Sequence, residues 1–515
     1  MALAKEQYKA FEAIVGPENI SEDPVDLDAY AWRSGLVAIL QEHRPRFEAI
    51  LLPASTEEVR AIVRLCNKLG VQFKASSTGW GGYADPGGPG CIKMDLRRMN
   101  CILEINEENM YAVVEPYVTS AQLQAELMKR GLNCNVNGAG GNTSALPTAA
   151  HEGIGHLSQG NSFGERNLLA LEWVTPEGEI VRTGSLGAIG EWFCGDGPGP
   201  SLRGLIRGNV TPLGGMGVHT RAATKLYHWA GPPTMELEGI SPSYSPADEP
   251  ANLLMRYLSF PSEDGRTLAV RRIGQHEIGL VLMGFNVNML AANIATSNEE
   301  ELLLAAEYSK EILGPGFVLA VAGNSKRDFD YKRQVLDLIL EEAGGSSLKA
   351  VEEPNIQFAL LWRCVRVTSS IRETMRATGA FAGEVFGTDS YEVQANFIQH
   401  SLKDKADLIE RGFVYADSVL PFLTSIEYGH FGHSEVLLRY TPGPGEPEAL
   451  MGYVGKANEY AANGHYGMPH HVFGDGQHDF FGPRTSNYTH WLREVKHSFD
   501  PNEASEASTY ITPND

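Results

Sequence analysis

Three segments of this chain are dense in glycine and hydroxyl side chains, the residue types that let a backbone close on an anion. The first is Ser76-Ser77-Thr78-Gly79-Trp80-Gly81-Gly82-Tyr83, directly after an apolar strand pattern. Closely spaced glycines let successive N–H groups approach a pyrophosphate, and the hydroxyls add donors. A plain turn is the alternative for such a segment taken alone. It is not a Walker loop, because no G-x-x-x-x-G-K-[ST] occurs, and it does not match G-x-G-x-x-G. The second segment is Gly138–Ser144, followed by His151-Glu152-Gly153-Ile154-Gly155-His156. The third is Asp196–Gly208, leading to Pro212–Ala222.

A second set of residues lies late in the chain. Gly429-His430-Phe431-Gly432-His433-Ser434-Glu435 and Asn463-Gly464-His465-Tyr466-Gly467 bring imidazoles and a carboxylate close in sequence. Such donors suit zinc, iron or manganese, so His430, His433, Glu435 and His465 are candidate ligands of a divalent metal. Hydrogen-bonding histidines without a metal are the alternative. His430 could instead take a proton from a substrate hydroxyl, because neutral imidazole titrates near working pH. Tyr428 and Tyr466 could bind a phenol or relay a proton, or simply pack. Trp362–Val367 alternates as a strand does, so Arg363, with Arg372 beyond it, could grip a carboxylate in bidentate fashion. Solvated or ion-paired arginines are the alternative there.

Short elements must position these groups. Phe47–Leu52 is an apolar run ended by Pro53. A helical pattern from Thr56 to Leu69 follows, with Glu57 and Glu58 in its first turn and Gly70 as its stop. Strands are expected at Val71–Lys74, Cys91–Asp95, Cys101–Ile105 and Tyr111–Glu115, and a helix at Ser120–Arg130 capped by Thr119. Val136–Gly160 reads as loop, and Leu168–Thr175 with Ile180–Thr183 as a hairpin. Ser241–Pro250 suits a linker. Strands near Leu253–Phe260, Gly279–Phe285 and Phe317–Gly323 and helices at Glu299–Ile312 and Tyr331–Glu342 suggest a second α+β domain ending near Tyr440. Helices at Ala449–Asn463 and Asn487–Phe499 precede a polar tail.

The 515 residues hold 42 Lys and Arg against 64 Asp and Glu, a formal charge of −22. That field repels polyanions, so nucleic acid is not an expected partner. No run of ~18 apolar residues is present, so no membrane span is expected. The start lacks a basic region followed by an apolar run, so a cytoplasmic location is expected. Six scattered cysteines form no C-x-x-C pair, which disfavours a disulfide scaffold or an internal iron–sulfur cluster.

Taken in order, these motifs resemble the vanillyl-alcohol oxidase/p-cresol methylhydroxylase flavoprotein superfamily. The match runs through Leu52–Val59, Ser76–Gly82, Met94–Asn100, Ala112–Val118, Thr143-Ser144, Ser162-Phe163-Gly164, Trp173–Ile180, Gly214–Thr220 and Phe499-Asp500-Pro501-Asn502. The resemblance implies an α+β fold. An FAD-binding domain of two subdomains would span residues 1–230, a cap over the isoalloxazine 231–440, and a segment returning to the FAD domain 441–515. Ser76, Ser77, Thr78, Gly79, Trp80, Gly81 and Gly82 would surround the FAD diphosphate. Thr143, Ser144, Gly153, Gly155 and His156 would line its middle, and Gly217, Val218 and Thr220 would contact adenine or ribose.

The first loop has no His, so the covalent flavin link many members make there is excluded. Non-covalent FAD is expected, with His470 and His471 open as attachment points. The segment at Gly429 is similar to the G-H-x-G-D-G-N-x-H of metal-assisted 2-hydroxy-acid dehydrogenases in the glycolate oxidase/D-lactate dehydrogenase branch. Here Leu437 stands at the second His, His433 replaces the Asp, and the Glu expected before His465 is missing, which puts the metal in doubt. The resemblance implies an FAD-dependent dehydrogenase or oxidase of a 2-hydroxy acid. Para-substituted phenols or benzylic alcohols are the alternative substrates. A flavoprotein subunit relaying electrons in a larger complex is the other alternative. Expected partners are the small organic substrate, and oxygen or an acceptor protein. A homo-oligomer or a place in an electron-transfer complex is also open.

Overall fold

The computed structural model describes residues 3–31, 45–79, 84–138, 140–151, 154–192, 201–208, 212–240, 243–248, 250–366, 378–416, 422–464, 466, 469 and 472–513. A helix begins where Ser55 Oγ accepts the Glu58 N–H at 3.2 Å and ends at Gly70, whose φ of +65° only glycine adopts freely. This helix, Thr56–Leu69, buries Val59, Ile62, Val63 and Cys66 on one face. Each buried aliphatic side chain contributes roughly 1.5–3 kcal/mol. Their partners are Phe73, Ile92 and Met94 of a four-stranded sheet. The helix connects Ile50–Leu51 to Gln72–Ser76, and both strands pair in parallel with Cys91–Asp95. That crossover releases the chain at Ser76, at the carboxyl end of its strand.

A second sheet is antiparallel throughout, in the order Ile102–Asn106, Tyr111–Val114, Val218–Lys225, Leu168–Val174, Ile180–Arg182. Helix Ser120–Met128 packs beside it, with Thr119 Oγ1 accepting the Gln122 N–H. Buried Glu172 joins the two subdomains. Its carboxylate accepts from Thr56 at 2.8 Å, from Arg182 at 3.0 Å and from Thr220 at 3.2 Å.

A third sheet has seven antiparallel strands, in the order Ser346–Ser347, Leu253–Ser259, Gly316–Ala322, Val281–Gly284, Phe422–Ile426, Phe431–Tyr440, Ala380–Asp389. Helices Glu263–Gln275 and Lys326–Ala343 cover one face through a core of Leu254, Ile273 and Leu336. The architecture is mixed α+β, as expected.

Four segments differ from expectation. Trp362–Arg366 is not a strand but the end of helix Pro354–Arg366, because Phe358, Leu361, Trp362 and Val365 all bury into the third sheet's core. Val136–Gly160 contains two short helices, Ala145–Ala150 and Ser158–Asn161. In the stretch read as a linker, Ser243–Pro246 pairs with Leu237–Ile240 as a hairpin. The tail after Asp500 is anchored, with Ala504, Ser505, Tyr510 and Ile511 buried.

Candidate functional site

Residues from the first and second sheets and their loops line a cleft of about 240 Å³ open to solvent. Its lining includes Ser76, Ser77, Thr78, Gly79, Thr143, Ser144, Gly217 and Val218. Eight predicted cofactor residues, from three distant parts of the chain, therefore meet on one surface. Ser144 Oγ donates to Ser77 Oγ at 2.7 Å and accepts the Thr78 N–H at 3.3 Å. Thr143 Oγ1 donates to Gly140 O at 2.8 Å, and its carbonyl accepts the Ser120 N–H at 2.7 Å. The two hydrogen bonds hold this hydroxyl-bearing turn against the start of helix Ser120–Met128. Gly79 has φ +69°, and a Cβ there would meet nothing within 4 Å, so its backbone faces open space. Gly217 has φ +83°, and a Cβ would lie 2.2 Å from Val174 O. Only glycine fits at that wall.

Several residues expected at the cofactor lie elsewhere. Thr220 is fully buried, with its hydroxyl on Glu172. The strand's register shifts between His219 and Arg221, and Thr220 is not in the cleft lining. Gly155 packs so tightly that a Cβ would sit 1.8 Å from Val136 O. His156 is enclosed between the second segment and the helix Pro354–Arg366. Its Nδ1 lies 3.2 Å from Cys364 O and its ring meets Phe285 edge-on at 6.0 Å. Burial lowers its pKa to about 4, against the pull of the Cys364 and Arg363 carbonyls, so it is neutral and donates through Nδ1–H. Trp80, Gly81, Gly82, Gly153, Arg372, His465, His470 and His471 lie outside the described residues.

The late segment forms a hairpin turn, not a pocket. Tyr428 and His430 occupy the connection between Phe422–Ile426 and Phe431–Tyr440, and both are exposed. The turn latches onto the segment at Ser158–Arg166. The N–H groups of Glu427 and Tyr428 donate to Ser158 O at 3.1 Å and Gln159 O at 2.8 Å. Arg166 stacks 4.4 Å from the Phe431 ring centre and pairs with Glu427 at 2.9 Å, and Ser162 Oγ donates to Glu427 too. His433 is buried in the strand between Thr388 and Thr424, and Glu435 sits between Val385 and Phe422. Among the described residues, no three His, Cys, Asp or Glu side chains come together to hold a metal. Arg363 lies on the helix Pro354–Arg366 and does not line the cleft.

The cleft also shows what motif reading passed over. Asn137, His151, Leu213, Gly214 and His219 are on its wall. His219 directly follows Gly217-Val218 at the start of Val218–Lys225, so adjacency to the predicted pair was the available signal. His151 ends the short helix Ala145–Ala150, which no periodicity announced.

Hydroxyls and open glycine backbone lining one solvent-open cleft suit a ligand that carries phosphate groups. Residues 47–184 match the model of an FAD binding domain. The 1'-carboxy-chondrochloren decarboxylase of Chondromyces crocatus is 33% identical over 209 residues, 38% of this chain and 36% of that protein. The 4-cresol dehydrogenase [hydroxylating] flavoprotein subunit of Pseudomonas putida is 27% identical over 208 residues, 38% of each. The match thus spans well under half the length of either relative. The structure of p-cresol methylhydroxylase with substrate bound superposes with a TM-score of 0.75 over 99% of this chain and 97% of that one, at 16% identity. No described helix is long and apolar enough to cross a membrane. Residues 47–184 thus match an FAD binding domain, and the chain shares the fold of p-cresol methylhydroxylase.

Proposed function

We propose that this chain holds FAD non-covalently in the cleft and oxidises a small hydroxylated organic substrate. We place a para-substituted phenol or benzylic alcohol first and a 2-hydroxy acid second. The observation that carries the FAD reading is the meeting of Ser77, Thr78, Gly79 and Ser144 with Gly217 and Val218 in the lining of one cleft. When bound, FAD supplies the acceptor for a hydride leaving a substrate C–H bond. The chain's own residues orient it. Ser77 and Thr78 offer their hydroxyls to the diphosphate, while Ser144 holds the Thr78 N–H and bonds the Ser77 hydroxyl.

The order of substrate classes rests on the Gly429–Glu435 segment, whose sequence points to a 2-hydroxy acid. With His430 on an exposed turn, His433 within the sheet and buried Leu437 in place of a ligand, the described residues do not fit an inherited metal site. No step of the proposed reaction runs through a metal. The likeness to a 4-cresol dehydrogenase subunit supports the phenolic class. His151, on the cleft wall, replaces His430 as the proton acceptor we assign for the substrate hydroxyl.

A visible spectrum before and after acid precipitation tests the cofactor. Flavin released to the supernatant supports the reading, and a protein that takes up no FAD overturns it. Turnover of 4-hydroxybenzyl alcohol against D-lactate and glycolate then tests the class. Oxidation of the two acids alone reverses the order of the two classes. Re-oxidation of the reduced protein in air separates oxygen from an acceptor protein.

A further inference from the structure

Two lysines with no exposed surface stand behind two stretches of the cleft wall, Ser76–Gly79 and the turn at Gly214–Gly217, and one late segment holds both. Lys74, on the strand that launches Ser76–Gly79, donates to Glu506 at 2.6 Å and to Thr509 at 2.9 Å. Lys496 donates to Gly215 O at 2.7 Å, to Ser505 O at 3.0 Å and to the Asp500 carboxylate. Gly215 belongs to the turn whose neighbours Gly214 and Gly217 also line the cleft. The backbone repeats the pattern. Phe73 N–H donates to Ala504 O at 2.9 Å, and Glu506 N–H donates to Phe73 O at 3.0 Å. Gly217 N–H donates to Ser505 Oγ at 2.8 Å. A single segment is thus bonded to the back of both stretches.

We propose that residues 500–510 are a cofactor clamp, with Lys74, Lys496 and Glu506 as positioning residues: docking of this segment and filling of the cleft by FAD are coupled. The inference rests on the cleft being the FAD site. Its physical basis is that each lysine is sealed from water, so undocking the segment strands a buried cation behind one stretch. The seated segment bonds to both stretches at once, through Phe73 and Lys74 on one and Gly215 and Gly217 on the other. By linkage, whatever bridges the two stretches from the front tightens the segment behind them, and the effect is reciprocal.

Hydrogen exchange on flavin-free and FAD-loaded protein tests this, together with FAD titration followed by flavin fluorescence. FAD is expected to slow exchange of the 500–510 amides at least about tenfold, with the cap strand Gly316–Ala322 unchanged. Glu506→Gln, nearly isosteric, is expected to weaken FAD binding about five- to hundredfold, the usual span of a coupling. It should also loosen the segment in the loaded protein. Lys496→Met is the harsher variant, and Lys496→Arg is expected to recover part of the affinity. A merely structural segment would exchange at the same rate with and without FAD, and that result overturns the clamp. So does a Glu506→Gln affinity within twofold of the parent. Failure of the parent protein to bind FAD overturns the reading beneath it and the clamp together.

Discussion

Ser144 Oγ donates a hydrogen bond of 2.7 Å to Ser77 Oγ, tying the start of the helix Ala145–Ala150 to the loop that leaves the first sheet. The same oxygen accepts the Thr78 N–H at 3.3 Å, so one hydroxyl sets the direction of two groups on the cleft wall. Ser144→Ala is expected to leave the fold intact and weaken FAD binding by about 1–2 kcal/mol, roughly 5- to 30-fold. Titration of flavin-free protein by fluorescence reads it. An unchanged affinity would place the diphosphate elsewhere.

His430 offers a direct comparison between the sequence reading and the structure. It lies on an exposed turn against Phe431, away from the cleft. His430→Ala is therefore expected to keep kcat/KM within about threefold of the parent, whereas His151→Gln lowers it by the ~10²-fold or more typical of a lost proton acceptor. Steady-state kinetics on the best substrate of the screen decides between the two histidines.

Glycines of equal sequence prominence differ sharply in what they tolerate. A Cβ at Gly155 would overlap Val136 O at 1.8 Å, while one at Gly70 would meet nothing within 4 Å. Gly70→Ala is expected to cost about 1 kcal/mol, the penalty of a left-handed cap without glycine. Gly155→Ala is expected to cost about 3 kcal/mol or more, because backbone must move on both sides. Urea denaturation followed by circular dichroism gives both values.

His156 makes stability depend on pH. Its folded pKa is held near 4 by burial, below the ordinary 6.5 of an exposed histidine. Between these values the unfolded chain binds a proton that the folded chain does not. Stability is therefore full above pH 6.5 and is lost as pH falls toward 4, by roughly 3 kcal/mol for this group. His478, also held near 4 by burial, adds a loss of the same sign. His156→Gln is expected to lower stability at pH 7 and to flatten the slope between pH 6.5 and 4.5. Urea midpoints across that range check it.

The local signals that proved readable share a cause. Helix Thr56–Leu69 and strands Cys91–Asp95 and Leu253–Ser259 carry their own periodicity and end signals, so short-range physics suffices. Trp362–Arg366 failed because a short apolar run buried on several sides looks the same in either periodicity. Thr220 failed because contact with Glu172 is a matter of register between strands, and motif spacing carries no register. The polar residues after Asp500 looked solvated because their partners, Lys74 and Phe73, lie more than four hundred residues away.

That separation has a consequence for how the molecule is made. Phe73 pairs in parallel with Ser505, and the ion pair of Lys74 with Glu506 spans 432 positions. On the ribosome the N-terminal elements emerge and begin to fold first. The floor beneath the Ser76–Gly79 loop cannot be completed until the segment beyond Asp500 has been synthesised. The cleft is therefore among the last features of the chain to mature, and during synthesis Lys74 must stay hydrated while the sheet around it is already in place. Such late, long-range closure is slow, since the entropy of the loop is lost before its contacts form. A nascent chain stalled before residue 500 would carry the lining residues of the cleft without the Glu506 partner of Lys74 behind them.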